Sequence, residues 1–147
     1  EDERVAGLRS AVGDAPVVAL SAELEVGLQS LEPAEREAYL SESGLGAPGV
    51  DRLIRRTYER LGLITFFTFN EKEARAWTVR RGATAPEAAG RVHSDFQEGF
   101  IRAETIGFDE FESAGSMRAA RDAGRVRSEG ADYVVRDGDI LLFRARA

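Results

Sequence analysis

Leu63-Ile64-Thr65-Phe66-Phe67-Thr68-Phe69, then Asn70-Glu71-Lys72, then Ala74-Arg75-Ala76-Trp77-Thr78-Val79-Arg80, is the stretch on which the fold turns. Both flanks are rich in β-branched and aromatic residues, and the polar Asn70-Glu71-Lys72 in the connection suits a hairpin turn. Two strands are therefore expected over Leu63–Phe69 and Ala74–Arg80. Immediately downstream, Thr84-Ala85-Pro86-Glu87 supplies an N-cap, a proline in the first turn and an acid at the N-terminus. That pattern predicts a helix running to about His93. Phe100–Ile106 reads as a third strand, and Phe108–Arg121 as helical around a loose Gly115. Tyr133-Val134-Val135 and Ile140–Phe143 read as two further strands, joined by the turn Asp137-Gly138-Asp139. The order is a hairpin, a helix, a strand, a helical excursion and two more strands. It implies an α+β domain in which a small mixed sheet grips a helix.

Upstream the period is helical. Val5, Leu8 and Val12 recur at helical spacing over Glu1–Val12, ended by Gly13-Asp14. Pro16-Val17-Val18-Ala19-Leu20 is wholly apolar and short, as expected of a strand buried on both faces of a parallel sheet. Helices before and after it would make one slice of a doubly wound α/β fold. Ser30–Glu35 brings a capping residue and Pro33 to the start of a helix running to about Ser43. After Gly44, Gly46, Pro48 and Gly49, the segment Val50–Leu61 is amphipathic, with Leu53, Ile54, Tyr58 and Leu61 on one face, and Gly62 ends it.

Composition narrows the function. In 147 residues there is no cysteine and a single histidine, His93, which leaves neither disulfides nor a thiolate or histidine metal cluster. No apolar run approaches the ~20 residues of a membrane span, and a cytoplasmic address is expected. The net charge of −6 argues against indiscriminate coating of nucleic acid. The charge is uneven: residues 1–50 hold three arginines against ten acids, whereas residues 51–147 hold seventeen basic residues against sixteen acids.

Few residues offer chemistry. A phosphate-binding loop needs glycines ending in Lys-Ser or Lys-Thr, and the single lysine, Lys72, follows Glu71. The chain is expected to be catalytically inactive alone. His93-Ser94-Asp95 is not a triad, because triad members face one another across a fold; a structural or surface-contact role is expected for His93. Trp77, Phe96 and Phe100 could stack on RNA bases, yet packing explains Trp77 and Phe100 better. Arginines are the stronger lead, since the guanidinium fork pairs with phosphate. Arg75, Arg80, Arg81, Arg91 and Arg102, with His93, form one candidate RNA or ribosome group. Arg118, Arg121, Arg125 and Arg127 form a second.

Several blocks in fixed order carry a family resemblance: Arg75–Val79, Gly82–Pro86, Ala88-Ala89-Gly90, His93–Phe96, Gly99–Glu104, Asp132–Val135 and Asp137–Asp139. Together they resemble the C-terminal part of the YchF family (Obg-like ATPases), over roughly residues 16–147. The Arg75–Thr78 and Gly99–Glu104 blocks favour that family over other proteins with TGS domains. The chain departs from the family at Phe69-Asn70, at Ser113–Arg118 and at its Arg-Ala terminus, which touches loops rather than fold.

The resemblance implies a β-grasp, ubiquitin-like TGS domain over residues 63–147. Before it come a helical connector over 31–62 and, over 1–30, the remnant of an α/β P-loop (G) domain. It also implies a parent hydrolase using ATP, or GTP, with Mg²⁺ in a domain outside this chain, and association with ribosomes or RNA. Ser21 and Ala22, after the expected strand, would match a Ser-Ala pair whose backbone N–H groups face the nucleotide base; Ser21 would serve equally as a helix cap. The alternative reading is a ubiquitin-like protein–protein adaptor with no nucleic-acid contact.

Overall fold

The computed structural model describes residues 3–70 and 73–146. It separates into two compact units, Glu1–Arg60 and Leu61–Ala147. Among the described residues no helix is long and apolar enough to cross a membrane.

The first unit is helical: α1 (Glu3–Val12), α2 (Ala22–Gln29), α3 (Pro33–Glu42) and α4 (Gly49–Leu61), the last ending at the unit boundary. Ser21 caps α2, its Oγ accepting from Leu24 N at 3.3 Å. A Glu32/Glu35 capping box and Pro33 start α3, as its sequence requires. Arg36 Nε donates to Leu28 O at 3.0 Å and ties α3 to α2. The N-terminus of α4 is capped from a distance, Glu25 accepting from Gly49 N at 2.6 Å and Val50 N at 3.3 Å. Leu28 and Leu40 are buried, whereas Val26 is 69% and Ile54 53% exposed. Pro16–Leu20, expected as a buried strand, has no strand ladder, and Ala19 and Leu20 are exposed. A strand exists only through its neighbours, and among the described residues none pairs with this one.

The second unit is a five-stranded sheet: β1 (Leu63–Phe69), β2 (Ala74–Arg80), β3 (Phe100–Gly107), β4 (Arg127–Glu129) and β5 (Asp139–Ala145). Their order is β2-β1-β5-β3-β4. β1 and β2 pair antiparallel from Leu63 opposite Arg80 to Phe69 opposite Ala74. The expected hairpin thus forms with the expected limits; Glu71 and Lys72 of its turn lie outside the described residues. At the centre β5 runs parallel to β1, with Phe67 opposite Ile140, and antiparallel to β3.

Both sheet faces carry a core. On the first, α5 (Ala85–Val92) presses Ala85 and Ala88 against Ile64, Phe66, Val79, Ala103 and Leu141, with Trp77, Phe100 and Phe143 at the rim. Small residues on α5 let the helix approach the sheet closely. On the second, α7 (Phe108–Ala114) and α8 (Met117–Asp122) cover one end, where Ile106, Ile140, Met117 and Ala120 meet Phe67, Phe69 and Phe111.

Two expectations for the second unit need correction. Phe108–Arg121 is two helices, because Gly115 adopts a left-handed φ of 74° that closes the first while Ser116 caps the second. Tyr133–Val135 is not a sheet strand. It bonds the loop before α5 instead, Ala85 N donating to Tyr133 O and Val135 N to Ala83 O. The turn of α6 (Ser94–Glu98), capped by His93, and the short β4 were not foreseen.

The turn before β5 ties these parts together. Asp137 Oδ1 accepts from Thr65 N at 2.7 Å, and Gly138 N donates to Thr65 O at 2.8 Å. Gly138 has φ 83°, which only glycine takes without strain. Buried Asp139 accepts from Tyr133 OH at 2.7 Å and Arg136 N at 2.8 Å. Burial, then the adjacent Asp139 carboxylate, raises the Tyr133 phenol above its ordinary pKa. Asp139→Ala strands two donors in a buried site and should cost about 2–3 kcal/mol, against about 1 kcal/mol for the more exposed Asp137→Ala. Urea unfolding of both variants measures the difference; equal losses would contradict the ranking.

Candidate nucleic-acid interface

Each side chain of the first arginine group takes its place from the element that carries it. Arg75 sits on β2, where its Nε pairs with Glu73 at 2.9 Å and its guanidinium lies 5.9 Å from the centre of the Trp77 ring. Trp77 packs against the first core and donates through Nε1 to Thr68 Oγ1 at 2.8 Å. Its polar atom is satisfied and its ring is half-buried, so it offers no free face for a base.

Arg80 and Arg81 lie at the opposite end of β2, exposed, with Arg81 N bonded to Gly62 O at 2.7 Å. Arg91 is exposed in the last turn of α5. His93 caps α6, its Nδ1 accepting from Asp95 N at 3.2 Å, and its ring meets Phe96 edge-on. His93 therefore acts here as a cap on an exposed corner. Arg102 stands on β3 next to Ala103, which faces α5, and so lies on the opposite face of the sheet. The six residues therefore do not form one patch: they are spread over both ends of β2, the α5–α6 corner and the far face of the sheet.

The second group is partly consumed by structure. Arg125 donates to Ser113 Oγ at 3.1 Å, and Arg127 pairs with Glu129 at 3.0 Å and reaches Tyr133 OH at 3.4 Å. Arg121 departs from this pattern by turning to the sheet. Its Nη2 lies 2.6 Å from Glu104 Oε2, while Arg144 donates to Glu104 Oε1 through Nη2 at 3.0 Å and Nε at 3.1 Å. Glu104 is thus clamped by two arginines, one from α8 and one from β5. Next to it an open recess of about 330 Å³ is lined by Arg102, Glu104, Arg121, Val126, Arg127 and Ser128.

Sequence reasoning named Arg102 and Arg121 but neither Arg144 nor Glu104. Arg102 lies opposite Arg144, and Glu104 opposite Leu142, only because β3 and β5 pair in this register. The one local signal was the alternation of Arg102 and Glu104 along a strand. In the first unit Ser21 and Ala22 are exposed, and the Ser21 hydroxyl is engaged as a helix cap.

The hydrogen bond from Arg121, reinforced by Arg144 and opposed by partial burial, holds the Glu104 carboxyl below the ordinary glutamate range. A carboxylate whose folded pKa is depressed stabilises the fold above its unfolded value, and that contribution is lost as pH falls through the folded value. Glu104→Gln should therefore flatten the acid limb of the melting temperature between about pH 5 and pH 3. Thermal melts across that range check it; parallel limbs for the two proteins would show that the clamp contributes nothing.

This arrangement belongs to a chain with clear relatives. Residues 63–146 match the family model YchF-GTPase_C, whose description reads "Protein of unknown function (DUF933)". The chain is 46% identical over 145 residues to the "Ribosome-binding ATPase YchF" of Bacillus subtilis, covering 97% of this chain and 40% of that protein. It is 47% identical over 127 residues to the Escherichia coli O157:H7 protein of the same name, covering 86% of this chain and 35% of the relative. It is 42% identical over 128 residues to the "Obg-like ATPase 1" of Rattus norvegicus, covering 87% and 32%. The solved structure titled "Structure of the Schizosaccharomyces pombe YchF GTPase" superposes with a TM-score of 0.79 at 26% identity, covering 97% of this chain and 38% of that one. The chain thus spans well under half the length of these relatives, and it belongs to the YchF-GTPase_C family as a counterpart of the C-terminal part of YchF and Obg-like proteins.

Proposed function

We propose that this chain is the C-terminal part of a YchF-type ATP- or GTP-hydrolysing protein, and that its second unit docks the parent on the ribosome through RNA. The observation that carries the reading is the family match over 63–146, joined to relatives whose names include ribosome binding. Residues 63–147 form a TGS-type β-grasp domain on this reading. Its support is the strand order β2-β1-β5-β3-β4, the parallel β1–β5 pair at the centre and the helix α5 held against one face. Residence in the cytoplasm follows from the ribosomal partner.

The first 30 residues complete a nucleotide-binding domain supplied by the rest of the parent, and 31–62 connect it to the sheet. Exposed Val26 and Leu20, and the unladdered apolar run Pro16–Leu20, support this, because such surface is stable only when covered. ATP or GTP and Mg²⁺ belong to that other domain. The residues here provide no phosphate loop; Ser21 and Ala22 would contribute backbone N–H groups beside the base, at the start of α2. Alone, the chain neither holds nor hydrolyses nucleotide.

A second reading, a protein-binding adaptor, draws on the outer edge of β2, which is left open over Ala74–Arg80 at the margin of the sheet. Cosedimentation of this chain with purified ribosomes over a salt series separates the two. Binding at low salt that falls steeply as salt rises is expected for phosphate contacts. Salt-resistant binding would favour the adaptor, and no binding at the lowest salt would overturn ribosome docking by this unit.

A further inference from the structure

We infer that the recess bounded by β3, β4 and α8, lined by Arg102, Glu104, Arg121 and Arg127 with Arg144 bonded to Glu104 from β5, is a docking site for the phosphodiester backbone of RNA, with Glu104 as a built-in competitor for two of the arginines. The inference rests on the ribosome-docking reading and locates its surface.

Placement rather than composition makes this site. Residues 61–147 carry thirteen basic and fourteen acidic side chains, nearly balanced. Around Glu104 two guanidinium groups, Arg121 and Arg144, share one carboxylate and Arg102 lines the same recess, while Arg127 in that lining is paired with Glu129 and Glu110. Arg102 and Arg144 are directly opposite on neighbouring antiparallel strands. Like charges in that relation repel and destabilise a sheet unless an anion lies between them. Glu104 serves Arg144 and Arg121, while Arg102 has no carboxylate partner among the described residues. An excess of positive charge therefore stands on an exposed face, with Arg121 46% and Arg144 51% exposed and the Glu104 side chain only 18%.

The shape and lining select the ligand. The recess is open, about 330 Å³, and no aromatic ring is among the described residues that line it. Base stacking needs such a ring, and Trp77 lies on the other face of the sheet with its N–H already bonded. What remains is a set of guanidinium forks carried by a strand pair and a helix. Arginine forks suit bidentate phosphate contacts, which fix position without reading sequence. Recognition is accordingly of the backbone of structured RNA. Glu104 holds the Arg121 and Arg144 forks in place when RNA is absent and must yield donors to phosphate when it arrives.

The test is fluorescence anisotropy of a labelled RNA hairpin with this chain, from about 50 to 200 mM salt, beside Arg102→Glu, Glu104→Gln and, on α4, Arg56→Gln. Removing a single arginine–phosphate pair lowers the salt slope by about one, or about three- to fourfold in affinity across that range. Arg102→Glu should weaken binding by at least that much, Arg56→Gln should match the unsubstituted chain, and Glu104→Gln should bind more tightly with a steeper slope. A purely structural role for Glu104 would instead give weaker binding in step with a lowered melting temperature, and would overturn the competitor role. Unchanged binding by Arg102→Glu, or weaker binding by Glu104→Gln at an unaltered melting temperature, would overturn the site. If ribosome cosedimentation stays salt-sensitive while Arg102→Glu has no effect on either assay, docking holds and this surface is wrong. If the hairpin binds as expected while ribosomes do not, the surface holds and ribosome docking fails.

Discussion

The second unit depends on how its last strand is made to run beside its first. Parallel neighbours cannot be joined by a tight turn, and β5 comes long after β1 in the chain, beyond three other strands and four helices. The junction is held by the segment before β5: the Asp137 carboxylate takes the Thr65 amide, and the Gly138 amide returns to the Thr65 carbonyl. Asp139 then anchors Tyr133 and the Arg136 amide from a buried position. Phe108 N also donates to Gly138 O, so the start of α7 is set by the same turn. Once β5 is in place, β3 pairs along its length, and the two cores on opposite faces of the sheet share strands β1, β3 and β5.

That pairing also decides the electrostatics. Arg102, Glu104 and Arg144 come together because β3 and β5 are antiparallel in one register, and a shift by one residue would send each to the other face. Arg121 arrives from α8, whose position depends on Gly115 breaking the helical run and Ser116 restarting it. A module of near-neutral composition thereby acquires a localised cationic recess. Some arginines elsewhere are tied to neighbouring acids, as with Arg75 on Glu73 and Arg127 on Glu129. Exposed ion pairs of this kind contribute little to stability.

The first unit has a different character. Its helices are locally well specified, with a Ser21 cap, a Glu32/Glu35 capping box and Glu25 on the α4 N-terminus, yet they bury little apolar surface. Local signals make helices; stability needs a covered face. Val26, Leu53 and Ile54 stay exposed in this unit, and the chain spans 40% or less of the relatives named above.

Much of the fold was legible in the order of residues alone. The hairpin over Leu63–Phe69 and Ala74–Arg80, the capped α5 and the amphipathic α4 are governed by neighbours within a few residues, so composition and spacing suffice for them. The family could likewise be recognised from ordered short blocks. Pro16–Leu20 misled because apolar runs announce burial and not the partner that provides it. Tyr133–Val135 misled because its partners are two backbone groups before α5 rather than a sheet. Three-residue β4 has no local signature and exists by pairing with β3. The same division holds for the candidate site: the sequence by itself determined which residues are cationic and which strands and helices carry them. Only the tertiary structure decided that Arg121 and Arg144 converge on Glu104 in a recess that Arg102 also lines, because that convergence rests on long-range strand pairing, which no local pattern encodes.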